Sequence, residues 1–272
     1  MPEVHDFAFG WVNPVLSVVM AFLGSLLGLV LTPRAGQSSG AARAGWLTLA
    51  AVALGGTGVW LMHFLAMIGF DVPATVVRYD LSITLLSLAI AVLSVGFGLF
   101  IVGTGRPALW KILPAGVSTG LGIAATQYTG FAAMRIGGVV SFDRHTFGLV
   151  TIASVVVATA VLWFARTGGG VGATAGAALL TAAALWGTHY AGMSAIRVRL
   201  TTDAVRVDGV SPVLLLIPVS LLACVVIAAL AYATVGFGVR RENQRETELL
   251  DHARLLHQAA AMPRQRLASR HH

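Results

Sequence analysis

The sequence predicts an all-α integral membrane protein of seven transmembrane helices: one amino-terminal helix followed by three parallel two-helix repeats. Three observations predict it. Seven apolar stretches have membrane-spanning length, charge is distributed one-sidedly between the connections, and a short string recurs three times at spacings of 64 and 62 residues.

A helix crosses the hydrocarbon core with about 20 apolar residues at about 1.5 Å rise each. The stretches that meet this length are Trp11–Leu31, Leu47–Phe70, Leu81–Val102, Ile112–Met134, Phe147–Phe164, Val171–Ile196 and Val213–Phe237. The chain is 57% hydrophobic and 11% charged. Soluble domains carry about a quarter charged residues, so that class is excluded. Gly, Ser and Thr within the runs let helix backbones approach closely in lipid. The first run is too long for the core of a cleavable leader and lacks a basic lead-in, so none is expected. Connections are short, the longest being Thr32–Trp46 on one side and Arg197–Ser211 on the other, which leaves no room for a soluble domain. The single cysteine, Cys224, falls in the middle of the last run and is expected as a buried apolar thiol.

Charge then orients the chain. Glu3, Asp6, Asp71, Asp80, Asp143, Asp203 and Asp208 all lie on one side, together with six arginines. The opposite connections hold Arg34, Arg43, Arg106, Lys111 and Arg166 without an acid, and the arginine-rich tail joins them. Basic residues flanking membrane helices stay in the cytoplasm. The chain is therefore expected to cross its membrane several times, with the amino terminus outside and the carboxyl terminus in the cytoplasm. The net charge of +7 reports topology and not a nucleic-acid partner. Residues 1–10 form an outer stub, 11–237 the membrane domain and 238–272 a cytoplasmic tail. Leu249, Ala253, Leu256 and Ala260 make a helical stripe in that tail; His271 and His272 read as the remnant of an expression tag.

The recurring strings are Trp60-Leu61-Met62-His63-Phe64-Leu65-Ala66-Met67, Ala124-Ala125-Thr126-Gln127-Tyr128-Thr129-Gly130-Phe131 and Trp186-Gly187-Thr188-His189-Tyr190-Ala191-Gly192-Met193. A period of two spans preserves direction, so all three strings end outward-running helices. From His63 to Asp71, Gln127 to Arg135 and His189 to Arg197 the separation is eight residues. The three central residues thus share one depth, about 12 Å below the outer charges.

His63 with Met67, and His189 with Met193, are i, i+4 pairs that project from one helix face. Imidazole with thioether is a soft donor set that suits copper, Cu(I) above all, better than Mg²⁺ or Ca²⁺. Ionisable groups are expensive inside a membrane and mark function more often than packing. Met62, Met134 and, from the stub, His5 are further candidate ligands. Gln127, Tyr128 and Tyr190 are candidate partners that orient the ligands by hydrogen bonds. Trp60 and Trp186, one turn deeper, either wall the site or pack the bundle. No catalytic residue is assigned.

The three strings resemble the repeated Met-His-Tyr-x-Gly-Met pattern of the MHYT domain, a bacterial membrane sensor family. Met62, His63 and Met67 match in the first string. His189, Tyr190, Gly192 and Met193 match in the third, where Thr188 replaces the leading methionine. The second departs, with Gln127 for the histidine and Phe131 for the methionine. The resemblance implies a copper-binding sensor of oxygen, carbon monoxide or nitric oxide, located in a bacterial inner membrane. Members are often fused to cytoplasmic domains that make or degrade a cyclic dinucleotide. This chain is expected to stand alone and to signal to a separate partner through its tail. Copper storage or transport, and a copper-dependent membrane oxidoreductase, are the competing readings. Only Thr57, Thr119 and Thr181 offer polarity deeper in the helices, and no carboxylate lies within the runs to act as a general base.

Overall fold

Six helices run across the protein in sequence order: α1 Val12–Gly36, α2 Gly40–Ile68, α3 Leu81–Gly103, α4 Ile112–Ala132, α5 Arg144–Thr167 and α6 Val171–Ser194. A further apolar helix, α7, opens at Pro212. The computed structural model describes residues 10–71, 75–104, 109–200 and 207–215, and beyond these 217, 219–221, 224, 227–228, 231–232 and 250. Of the unit Ala231–His272, only Ala231, Tyr232 and Leu250 are described, all helical.

Five of the helices, α1, α2, α3, α5 and α6, are long and apolar enough to cross a membrane. The 21-residue α4 matches them in length but carries Ser118, Thr119, Thr126 and Gln127, which lower its apolar content. It packs against α3 on one side and α5 on the other. Each of α3, α4 and α5 packs on the next, α6 packs on α1, and α1 packs on α2. The outer end of α2 also touches α4 and α6, so α2 is drawn toward the middle. Its membrane-spanning window is 89% buried, against 28–44% for the other four spans.

Glycine makes that central position possible. A β-carbon on Gly24 of α1 would run into the backbone of Gly58, and one on Gly28 would meet the Leu54 side chain at 2.8 Å. On the other side of α2, a β-carbon on Gly55 would meet the Ala91 carbonyl at 2.8 Å. Small residues at crossings let helices gain dispersion contact in lipid, where no hydrophobic drive operates between them. The Val52–Leu61 part of α2 is wound as a π-helix, which regains α geometry at Met62. Wide turns of this kind recur next to functional positions because they re-aim the residues that follow. Here the residue re-aimed is His63.

The outer connections are more ordered than simple loops. β1 Arg78–Tyr79 pairs antiparallel with β2 Met134–Arg135, and β3 Gly138–Phe142 pairs with β4 Ile196–Leu200. Met134 and Ile196, placed by hydropathy at helix ends, therefore lie in strands. The repeat is visible in the caps. Asp80 accepts from the Ile83 backbone N–H at 3.2 Å, and Asp143 from that of Thr146 at 2.9 Å, each opening the helix that follows it. Their own backbone N–H groups donate to Ala133 and Ala195, which lie six residues beyond Gln127 and His189. Arg135 binds Asp80 at 3.0 Å, and that hydrogen bond holds the Asp80 carboxyl below its ordinary range.

Two expectations are corrected. The connection expected over Thr32–Trp46 shrinks to residues 37–39, because the helices continue past the apolar runs through Arg34, Ala35, Ala41, Ala42 and Arg43. Good helix formers extend a helix after hydrophobicity has stopped. Arg43 fixes the turn through its Nε, 2.8 Å from the Ser38 carbonyl. Cys224 is exposed and not buried. On a membrane helix the outer face meets lipid, which suits an apolar thiol as well as a protein core does. The stub to residue 9, and with it His5, and the tail stripe at Leu249, Ala253, Leu256 and Ala260 lie outside the described residues.

Replacement of Gly24 by Val is expected to separate α1 from α2 and to cost about 1–3 kcal/mol, the usual range for overpacking. Gly176→Val, at a helical position with open space around the added carbon, is the control. Thermal unfolding in detergent checks the pair: a clear drop for Gly24→Val and little change for Gly176→Val.

Candidate functional site

The three repeated strings converge at the outer end of the bundle. His63 on α2 and His189 on α6 are both buried, at 2% and 0% exposure, and their Nδ1 atoms lie 2.8 Å apart. The ring centroids are 4.7 Å apart and the planes nearly perpendicular, at 84°. At this distance one Nδ1 donates its proton and the other accepts it, and two neutral rings in this contact are of opposite tautomer. The Nε2 of one then carries a proton and that of the other a lone pair. Neither Nε2 has a hydrogen-bond partner among the described residues.

The next string supplies the wall. Phe131 stands where the other two have methionine, and its ring lies 5.2 Å from that of His63 and 5.9 Å from that of His189. Gly130 beside it leaves room for an imidazole: a β-carbon there would collide with His63 Nε2. Gly192, three residues after His189, does the same for Gln127, whose Oε1 would lie 3.1 Å from an added β-carbon. The glycine of each later string thus seats the central residue of the string before it. At the corresponding place in the first string stands Ala66, fully buried. Sequence reasoning missed Gly130 and Phe131; the signal was the glycine shared at the third position after Gln127 and His189.

Gln127 is buried on α4, and its Oε1 has no hydrogen-bond partner among the described residues. Tyr190 packs edge-on to His189 at 5.2 Å and lies 4.6 Å from Trp186. Tyr128 is half-exposed, with Phe142 and Phe147 as its ring neighbours. The structure thus brings Tyr190, and not Tyr128, to the histidines. Trp60 belongs to the packing reading, since its Nε1 donates to Ser87 at 2.9 Å and its ring stacks on Phe64. Met62, Met67, Met134 and Met193 are all buried, at 1–5% exposure. Met67 and Met193 follow their histidines by one turn. The Met67 carbonyl accepts from Tyr79, a buried phenol of β1 whose pKa burial pushes up, and Met134 pairs with Tyr79 across the ribbon.

The donor set fits a soft ion. Two neutral imidazoles and buried thioethers at the same end of the bundle suit Cu(I), and the site offers no carboxylate to a hard cation. Among the described residues no group of three His, Cys, Asp or Glu side chains that could hold a metal ion gathers. The two Nδ1 atoms are engaged with each other, so the ring nitrogens without a hydrogen-bond partner among the described residues are the two Nε2 atoms.

A multi-pass membrane bundle with a histidine pair clasped between sequence repeats defines the class: a polytopic membrane protein with a buried polar centre near one face. The chain is a member of the MHYT-domain family. The model of that family, described as a bacterial signalling protein N-terminal repeat, matches residues 56–115 and 120–178. The two matches begin 64 residues apart, the spacing of His63 and Gln127. The chain is 35% identical over 193 residues to the bifunctional diguanylate cyclase/cyclic di-GMP phosphodiesterase MucR of Pseudomonas aeruginosa, covering 69% of this chain and 28% of that protein. It is 31% identical over 261 residues to the cyclic di-GMP phosphodiesterase NbdA of the same organism, covering 88% of this chain and 31% of the relative. An uncharacterized signaling protein of Caulobacter vibrioides is 34% identical over 159 residues, 58% of this chain and 19% of its own length. The chain therefore spans less than a third of these relatives. No solved structure matches it.

Gly130→Ala is expected to push the His63 ring off its seat and break the 2.8 Å contact with His189. Imidazole ¹⁵N shifts of the purified protein check this: the opposite tautomers of the wild-type pair give way to two independent rings. Unchanged shifts would show that the glycine does not seat the ring.

Proposed function

We propose that this membrane domain is a copper-dependent sensor of a diatomic gas or of redox state, and that it signals through turnover of cyclic di-GMP. The observation that carries the reading is the 2.8 Å approach of two buried imidazoles from helices that the chain separates by 126 residues. A backbone carbonyl or a hydroxyl would satisfy a histidine that serves only to pack helices, and burying two imidazoles together forfeits hydration that lipid cannot replace. His63 and His189 would hold the ion, with Met67 or Met193 as the thioether donor. When bound, copper supplies an open coordination position and a one-electron couple. The protein's own residues do the rest. Phe131 excludes water from the rings, Gly130 and Gly192 set the depth of the side chains, and Gln127 would tune the site by hydrogen bonding without being a ligand. Orienting groups of that kind typically change affinity by about 10–100-fold. Cyclic di-GMP enters from the activities named for two relatives, and the tail is the route by which a cytoplasmic partner would be reached.

The competing readings find less support. An ion passing through the bundle would next meet Val59, Ile123 and Leu185, one turn deeper and without a ligand atom. A membrane oxidoreductase would want a general base, and no carboxylate is buried among the described residues. Orientation rests on the same footing: the acid-free basic connections favour a cytoplasmic α1–α2 turn.

Protein purified with copper is expected to retain it, and the double variant His63→Ala, His189→Ala to lose most of it. Gln127→Ala is expected to keep the stoichiometry and to lower affinity by no more than about 100-fold. Copper per chain and a competition titration measure both; equal retention in the double variant would overturn the site. For orientation, a reporter at Ser38 is expected to read cytoplasm and one at Asp208 outside. Opposite readings from both would invert the topology.

A further inference from the structure

One helical turn below the histidine pair the bundle is hollow. A small cavity, with about 20 Å³ open to the centre of a water-sized sphere, is lined by Val59, Ile123 and Leu185 among others. These three stand four residues before His63, Gln127 and His189, so each repeat contributes its equivalent residue to one apolar ring. Four residues of helix correspond to about 6 Å of rise, which sets the cavity's distance below the pair.

The volume is slightly above the roughly 10–15 Å³ that a single water needs. Water also needs two to four polar partners, and the lining offers it poor ones. The remaining wall is aliphatic except for Thr119 and Thr181. Their hydroxyls already donate to backbone carbonyls, Thr119 to Ser94 at 3.3 Å and Thr181 to Ala177 at 2.7 Å. No hydroxyl proton is left for a guest. A cavity of this kind stays dry and takes small apolar guests in preference to water.

A way in lies on the flank of the bundle. A cleft of about 470 Å³ opens between α5 and α6, lined by Leu149, Val150, Ala153, Ala184 and Thr188 among others. Leu149 is 68% exposed, so the mouth of the cleft faces lipid. Val157 lines both this cleft and the inner cavity. One half-buried side chain thus stands between the hydrocarbon of the bilayer and the hollow under the histidines. Apolar gases concentrate in that hydrocarbon, so a lateral entrance meets more of them than one facing water.

We propose that this cavity is a binding pocket for one small apolar molecule, of the size of a diatomic gas, which enters from the lipid between α5 and α6 past Val157. The proposal deepens the sensing function proposed above and rests on it for the identity of the natural guest. Occupancy itself requires no copper, so the pocket and the metal site can fail separately.

Xenon is the probe, since it is apolar, near the right size and indifferent to metals. The metal-free protein in nanodiscs is titrated with ¹²⁹Xe and followed by NMR. One saturable bound signal is expected from the wild type. Ile123→Phe and Val95→Phe, which fill the cavity from two different helices, are each expected to abolish it. Ala153→Phe, at a residue that lines the cleft and not the cavity, is expected to slow exchange severalfold while leaving the bound population nearly unchanged. Absence of a saturable signal in the wild type, or its survival in both filled variants, would overturn the pocket. Exchange unaltered by Ala153→Phe would overturn the route. Copper retained without xenon binding leaves the metal site standing and removes the pocket; xenon bound without copper retention does the reverse.

Discussion

Two neutral imidazoles sharing a proton in a dry bundle impose conditions on everything around them. Lipid offers no hydrogen bond, so a histidine within a membrane helix must find its partner in the protein or remain unpaired at high cost. His63 finds His189, and that choice fixes which faces of α2 and α6 turn inward. It also explains why α2 is the most buried of the candidate spans, since a helix at the rim could not meet α6 across the interior. The glycine crossings at Gly24, Gly28 and Gly55 are what allow α2 to stand there.

The repeats are not three copies of one site. They are three segments whose differences assemble a single one. Two contribute imidazoles, and the third contributes Phe131 as a wall and Gly130 as a seat. The loss of a histidine and a methionine in the second repeat therefore does not leave a gap. An aromatic ring fills the methionine position and packs on both imidazoles, while Gln127 keeps a polar atom at the same depth. The ribbons at the outer face tie the repeats in order, each capping aspartate anchored by its backbone to the connection of the following repeat.

Much of this was legible in the sequence. Apolar length gave the spans, because the thickness of hydrocarbon is the same for every protein. Spacing gave the repeats and the shared depth of His63, Gln127 and His189, because helical rise is constant. The donor chemistry of His63 and His189 followed from residue type alone. Helix ends were less legible where they outran hydrophobicity, as at Arg34 and Arg43, since helix propensity and membrane solubility are separate properties. The β-ribbons were missed because strands as short as Arg78–Tyr79 exist only through their partners.

The sequence by itself determined that the chain is a multi-pass membrane protein and that the central residues of its three repeats share one level along the helices. It could not determine their azimuth, meaning which way round its axis each helix turns its face. That is decided by packing, through close approaches such as Gly24 to Gly58 and Gly130 to His63. Only the folded bundle could decide that two histidines touch while Tyr128, beside Gln127, faces outward. Depth is a one-dimensional property carried by a constant rise per residue. Contact depends on three-dimensional complementarity between residues far apart in the chain.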